Sequence, residues 1–403
     1  MRYWKKIAFV FLTVVVLVQI PFIYNRFQTQ ELAGRIMSLQ KRKSNPPAEN
    51  YRDLKGIIHV HTALGGHSTG GFDELIEGAA ANELDFVVMT EHVSENFDTS
   101  ALTLNGFYRN TLFVGGNELE TRSGDRFLLV AADAEAQTAD RLETREFLQK
   151  ARAKNQLAFV AYPRNFKSWE TDFDGIEVFS LHTNAKKMSL LTFPLDALWA
   201  YASYPELTLA NYFIRPDVNL EKYDKIAAGR RITLFAGTDA HSNLGFHFLG
   251  DDAGNKLLGL KFDDYGLIFR LVRTHVLLEN DRPLTRENLI EALRNGHTYI
   301  GFDCLSDTTG FFYAAENGAE RKIQGDEIAR GSDGRVRLRA VAPQSARFVI
   351  FKNGAKVFEA GEVTEAVFEA AEPGAYRTEV YLDTLGSPFD QMPWIISNPV
   401  YVR

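Results

Sequence analysis

The stretch GIIHVHTALGGHSTGG, residues 56–71, holds three of the chain's nine histidines. His59 and His61 stand one residue apart in an apolar run, and His67 follows among four glycines. In a strand, residues i and i+2 share a face, so His59 and His61 can aim both imidazoles at one point. Asp239 and His241, in GTDAHS, repeat that spacing. Imidazole with carboxylate is the usual donor set for zinc, manganese or iron. One such pair is weak ground, because two solvated side chains on an exposed strand read the same way. The weight comes from what the rest of the chain adds.

Outward from that stretch, short β-branched or aromatic runs alternate with amphipathic ones. GIIHV (56–60), DFVVMT (85–90), NTLFVGGNELE (110–120), RFLLVAA (126–132), LAFVAYP (157–163), GIEVFS (175–180) and RITLFAGT (231–238) read as strands. Residues 72–84, 139–156, 186–202 and 223–228 read as helical, the first with Leu75, Ile76, Ala79 and Ala80 on one side. Strand and helix in series predict a parallel α/β sheet or barrel. In such folds, functional residues gather at the carboxyl ends of the strands. Those ends carry His59 and His61, Glu91 and His92, Glu118, Tyr162 and Arg164, Glu177, and Asp239 and His241. Scattered surface histidines would not align with strand ends in this way.

In this order, HVHTALGGHSTGGFDELIEGAAANELDFVVMTEH, GGNELET, GIEVFS and AGTDAHS resemble successive motifs of the PHP superfamily, the polymerase and histidinol phosphatase domains, over roughly residues 56–245. The resemblance implies a distorted seven-stranded β/α barrel with up to three metal ions at its carboxyl end, and hydrolysis of phosphate esters. It implies one metal on His59, His61, Glu118 and Asp239, and another on His67, His92 and His241. A third would share Glu118 and take two further histidines, but Phe127 and Tyr162 stand at those positions. Phe cannot ligate, and Tyr does so only as a phenolate, uncommon at a pKa near ~10. Two divalent ions, zinc, manganese or iron, are therefore expected. Two suffice in principle to acidify a shared water to hydroxide and to hold developing oxyanion charge. His182, just past GIEVFS, reads as a loop histidine, with replacement of a missing ligand as its alternative. Arg164 is a candidate phosphate clamp or a surface ion-pair partner. Glu91 either orients an imidazole or caps the helix after it. The glycines of 65–71 let the loop pass close to the metals and adopt positive φ. His247, His275 and His297 lack a partner at ligand spacing and read as packed or solvated.

Composition narrows the partners. The length, 403 residues with 45% hydrophobic, suits two soluble domains and extras. Residues 1–55 carry ten Lys/Arg against three Asp/Glu, and the whole chain is −7, which leaves −14 on residues 56–403. An acidic body repels nucleic-acid phosphates, and no basic stripe interleaves with aromatics. A small-molecule phosphoester is the expected substrate, with no nucleic-acid partner. The single cysteine, Cys304, makes no internal disulfide and rules out a Cys-rich zinc module.

Residues 7–24, IAFVFLTVVVLVQIPFIY, are almost wholly apolar and follow Arg2, Lys5 and Lys6. Eighteen residues at ~1.5 Å each barely span a hydrocarbon core of ~30 Å. A cleaved signal peptide begins alike but needs small residues after the run, where this chain has bulky ones. The reading is an uncleaved transmembrane signal anchor over 1–25 and a tether over 26–55. The basic tip places the body extracytoplasmic, while Arg26, Arg35 and 41–43 oppose that orientation.

TRENLIEALRNGHTYIGF (285–302) starts as a helix and stops at Gly296. Beyond it, RVRLRAVA, ARFVIFKNGAKVFEA, EAVFEA, AYRTEVYLD and WIISNPVYVR are short alternating runs, with an Asn-Gly hairpin signal in KNGAK. They predict an all-β immunoglobulin-like sandwich over 304–403, following a hydrolase domain over 56–303. The whole reads as a membrane-tethered, metal-dependent phosphoesterase. The alternatives are a metal-binding recognition module without turnover and a nuclease.

Overall fold

The computed structural model describes residues 2–44, 50–186, 188–189, 192–243, 245–250 and 256–403, with no side-chain description for 245–250 and 256–260. Strand Tyr51–Val60 lies at its centre. Its second half pairs in parallel with Phe86–Met89 on one edge and Thr233–Ala240 on the other. Beyond Phe86–Met89 comes Thr111–Val114, and beyond Thr233–Ala240 come Gly175–Ser180 and Leu157–Val160, all parallel. Arg126–Val130 then joins Leu157–Val160 to Gly116–Glu120 with antiparallel pairing on both sides. Gly116–Glu120 pairs in parallel with Glu91–His92, which continues Phe86–Met89. The pairings that start at 51–60 thus return to it. The antiparallel strand departs from the all-parallel expectation for a plain reason. Only residues 121–125 link 116–120 to 126–130, and a parallel crossover takes about a dozen residues.

Alternation along these strands divides the apolar side chains into two clusters. Ile58, Val88, Val114, Leu128, Phe159 and Phe235 belong to one, and Ile57, Val87, Phe113, Leu129, Ala158 and Leu234 to the other. Both faces of the strands are therefore buried, which is why the strands read as near-continuous hydrophobic runs.

The first half of 51–60 pairs antiparallel with Arg273–Glu279, which leads through Thr298–Gly301 to Ile395–Ser397. The C-terminal strands thereby belong to the same large sheet system of a mixed α/β fold. Their longest members, Val336–Lys352 and Ala355–Ala370, meet at Asn353-Gly354, both at positive φ, where the sequence signals a hairpin. Buried ion pairs hold this portion to the rest. Arg377 forks onto Asp224 at 2.7 and 2.8 Å and also reaches Glu379, which Arg215 engages from the other side at 2.9 Å.

Helix Arg2–Lys41 does not end with the apolar run. Residues 26–41, expected as a tether, remain helical because Thr29, Leu32 and Ile36 are buried at helical spacing against the body. Residues 51–55 are strand. The apolar window near the N-terminus is long enough to cross a membrane, and none of it is buried. Helix Arg286–Asn295 ends at Gly296 in the left-handed region, as read.

Candidate metal centre

Two β-bulges build the centre. The register of 51–60 slips at His59 against both neighbours. His59 and Asp239 both sit at positive φ, 70° and 50°, as does Tyr162 at 48°. A non-glycine residue held there costs on the order of 1–3 kcal/mol and persists where the surroundings over-determine it. The side chain of Thr238 clamps one bulge by donating to the His59 carbonyl at 2.8 Å. So His59 and His61 converge through a bulge, where the sequence reading used a regular pleat.

Four donor atoms meet there: His59 Nε2, His61 Nε2, Glu118 Oε2 and Asp239 Oδ1. Glu118 Oε2 lies 3.0 Å from His59 and 3.2 Å from His61, and Asp239 Oδ1 lies 3.3 Å from each. All four residues are buried. Yet neither nitrogen of His61 nor Asp239 Oδ1 has a hydrogen-bond partner among the described residues. Atoms spaced this way point at a common centre, away from one another. Donors about 2.1 Å from one ion lie about 3.0–3.4 Å apart in octahedral or tetrahedral geometry, so the edges fit a bound dication. A second group, His61, His92 and His241, also gathers within ligand reach. The His61 ring stacks against both partners, at 4.5 and 4.4 Å. His67 is exposed on its loop, 4.9 Å from the His92 ring. The loop returns past Gly70, where any Cβ would collide with the Tyr265 hydroxyl.

The electrostatics match. Burial by itself would lower His59, but Asp239, Glu177 and Glu118 outweigh it and hold the imidazole well above its usual range. His61 is raised against burial by Asp239 and Glu118. Glu118 and Asp239 fall well below the carboxylate range despite burial, through these imidazoles. The positive charge those carboxylates demand is supplied by protons or, when a dication is held, by the ion, for which ligating imidazoles must be neutral. Burial, reinforced by the His61 charge, drops His92 and His241 to about 4, which leaves them neutral and ligand-competent near pH 7.

Supporting contacts fix these rings. His59 Nδ1 lies 2.7 Å from the buried carboxylate of Glu177, a partner that selects the tautomer and leaves Nε2 for the centre. His241 Nδ1 meets the Asp239 carbonyl at 2.8 Å. Tyr162 donates its hydroxyl to Asp239 Oδ2 at 2.7 Å. Burial, with Asp239, Glu118 and Glu177 around it, pushes its pKa above the usual phenol range, so Tyr162 stays protonated. Phe127 packs with Phe147 and Phe166 in the apolar core, and strand 126–130 delivers Arg126 to the cluster instead. Arg126 donates to Glu118 at 3.2 Å and to Glu120 at 2.9 Å, and lies over the Tyr162 ring.

Other residues marked in the sequence lie differently. Arg164 is exposed and outside the cavity over the cluster. Glu91 is buried and accepts from Thr62, at 2.6 and 2.9 Å, and from Thr103 at 3.1 Å. It thus pins the start of the His67 loop, while Asp98 caps the following helix. His182 lines the cavity 6.0 Å from the His241 ring. Glu177 and Arg126 are the two residues the sequence reading left without a role. Glu177 carried a signal, its strand-end position. Arg126 carried none, because its strand runs opposite to its neighbours.

The fold and the centre together define a mixed α/β protein with a buried imidazole–carboxylate cluster of metal-binding form. No family model matches the chain, and no curated protein matches it. Among solved structures, it is similar to PsfC from Pseudomonas syringae PB-5123, with 16% identity over 63% of this chain and 94% of that one, at a TM-score of 0.37. It is similar also to a two-domain protein from Bacteroides vulgatus containing a predicted PHP-like metal-dependent phosphoesterase, with 13% identity over 89% and 97% and a TM-score of 0.36. A third is Endonuclease Q in complex with an abasic-lesion duplex, with 13% identity over 69% and 60% and a TM-score of 0.33. At such values, the residues and not the likeness carry the functional reading.

Proposed function

We propose that the chain is a metal-dependent hydrolase of phosphate esters, anchored by its N-terminal helix. Counting Phe86–Met89 with Glu91–His92 as one strand, and Thr111–Val114 with Gly116–Glu120 as another, the strands at 51–60, 126–130, 157–160, 175–180 and 233–240 bring the set to seven, which supports the distorted barrel that the PHP resemblance implies. The observation that carries this reading is the set of buried donors without hydrogen-bond partners, His61 and Asp239 Oδ1, amid His59 and Glu118. Leaving several such groups unpaired costs about 1–3 kcal/mol each, a cost that a resident ion removes. His59, His61, Glu118 and Asp239 would hold one ion, and His92 and His241, with His67 from its loop, another. When bound, such ions acidify water near neutral pH and offset the charge that develops on phosphoryl oxygens.

The chain's own groups do the positioning. Glu177 keeps the His59 tautomer, Tyr162 keeps Asp239 oriented, and Glu91 holds the loop bearing His67. Arg126, on the cavity floor and bonded to Glu118 and Glu120, sets a fixed guanidinium charge beside the phosphoryl position. It thus takes the clamping part for which the sequence marked Arg164.

The test is elemental analysis of the purified chain together with hydrolysis of p-nitrophenyl phosphate in Mn²⁺ or Zn²⁺. Stoichiometric metal and turnover, both lost in the His59→Ala/His61→Ala variant, are expected. Metal without turnover on any phosphoester would assign a recognition module, and salt-sensitive cleavage of oligonucleotides would assign a nuclease.

A further inference from the structure

The cavity over the cluster measures about 1260 Å³, above the ~300–1,000 Å³ that drug-sized ligands occupy. Its floor is polar and includes His92, Arg126, Asp239 and His241. Its far wall is apolar and comes from residues 181–213, among them Leu181, Met188, Phe193, Leu198, Leu209 and Phe213. A phosphate with a small polar headgroup would leave that wall facing water.

The same wall meets the N-terminal helix. Trp199 donates its indole N–H to Gln19 at 2.9 Å, and Asn25 donates to Asp196 at 3.2 Å. Arg26 lies over the Tyr204 ring. Gln19 is five residues inside the apolar run that ends at Tyr24, a depth of about 8 Å at helical rise. With that helix as the anchor, Trp199 meets it at hydrocarbon depth. Its neighbour Leu198 lines the cavity while 69% exposed. Segment 192–201 thus meets the helix within its apolar run, through Trp199, and also lines the pocket over the candidate metal centre, through Phe193, Ala197 and Leu198.

We infer that the substrate is a phosphorylated membrane lipid, with its hydrocarbon chain along the 181–213 wall and its phosphoryl group at the cluster. This rests on the hydrolase and anchor readings above and adds the class of substrate. A chain entering from the bilayer never crosses water, and its burial adds affinity with each methylene. Leu198 and Ala185, both exposed, are the wall positions where a charge opposes the chain with least disturbance to the fold.

The test uses the full chain in nanodiscs, with empty nanodiscs as the control, and a series of methyl-, butyl- and octylphosphonate. Calorimetric binding is read first, and inhibition of p-nitrophenyl phosphate hydrolysis second. Affinity should rise about fourfold per added methylene. Leu198→Glu and Ala185→Glu should each flatten that slope. The slope should persist in His59→Ala/His61→Ala, where only the phosphonate end loses its partner. A flat series in the unmodified chain overturns the inference whether or not the protein hydrolyses anything. A steep series without hydrolysis upholds the pocket as a phospholipid site and overturns the phosphoesterase reading, and with it the lipid's part as substrate.

Discussion

Among the described residues, a buried polar cluster gathers around His59 and His61 and another around His275, and they are built to opposite rules. At the candidate metal centre, His61 and Asp239 Oδ1 lie amid polar atoms yet hydrogen-bond to none of them. About His275, every polar group is matched. Its ring nitrogens meet Asp53 at 2.9 Å and Asp303 at 3.3 Å, with Tyr299 and Thr308 completing the set. Arg273 adds a second cation to Asp303 at 3.1 Å. The backbone differs too. His59 and Asp239 are held at positive φ, and His275 is not among the residues so strained. A cluster that satisfies itself is structural and ties strand 51–60 to 273–279 and 298–301. A cluster that leaves donors converging on a point is shaped for something the chain does not supply.

Breaking each cluster sharpens the contrast. The largest expected effect is at the centre. His59→Ala/His61→Ala should abolish stoichiometric metal and lower phosphoester turnover at least about 1000-fold. His275→Ala should do the reverse. Metal content should hold, while urea denaturation shows a loss of about 3–5 kcal/mol, the cost of leaving Asp53 without its cation and buried Asp303 with Arg273 alone.

The pH dependence separates the two clusters next. His275 is raised from 6.5 to about 9, since Asp53 and Asp303 outweigh its burial. A raised histidine contributes stability that is complete below its unfolded value and is lost as pH climbs through the folded one. Stability should therefore fall between pH 6.5 and about 9, by on the order of 3 kcal/mol. Denaturant midpoints across that window should show the fall in the native chain and its absence in His275→Ala.

The smallest effect tests the support around the centre. A Cβ at Gly237 would collide with Glu177 Oε1, so Gly237→Ala should push Glu177 off His59. Glu177→Gln should weaken the same bond without crowding. Either should cost about 10–100-fold in metal affinity by competition with a chelating dye. Metal affinity unchanged in both would break the assignment of Glu177 as the residue that orients His59.

Much of this was legible in the residues. The alternating runs marked each strand of the central set, because strands buried on both faces must be apolar. The imidazoles and carboxylates marked the strand ends because charged or ligating groups are rare within an apolar run. The signals at Gly296 and Asn353-Gly354 were local, so they held without knowledge of the fold. Three features escaped. Helix 26–41 looked like a polar tether because its buried face is thin: Thr29, Leu32 and Ile36. Arg126 could not be distinguished from Phe127 without knowing that the strand runs antiparallel, which sets the face each presents. Glu91 looked like a partner for an imidazole or a cap for the helix after it, while its carboxylate turns to Thr62 and Thr103.

Already present in the unfolded chain is the chemistry available: which imidazoles and carboxylates exist, their order, and an apolar run ahead of an acidic body. Periodicity and residue type are local properties, and a chain carries them before it folds. Only the tertiary structure decided which atoms meet, because convergence depends on bulges at His59 and Asp239 and on strand direction, neither of which is encoded within a few residues. It also decided which clusters are complete. Whether a buried polar atom has a partner depends on segments hundreds of positions away, as His275 with Asp53 and His61 without one both show.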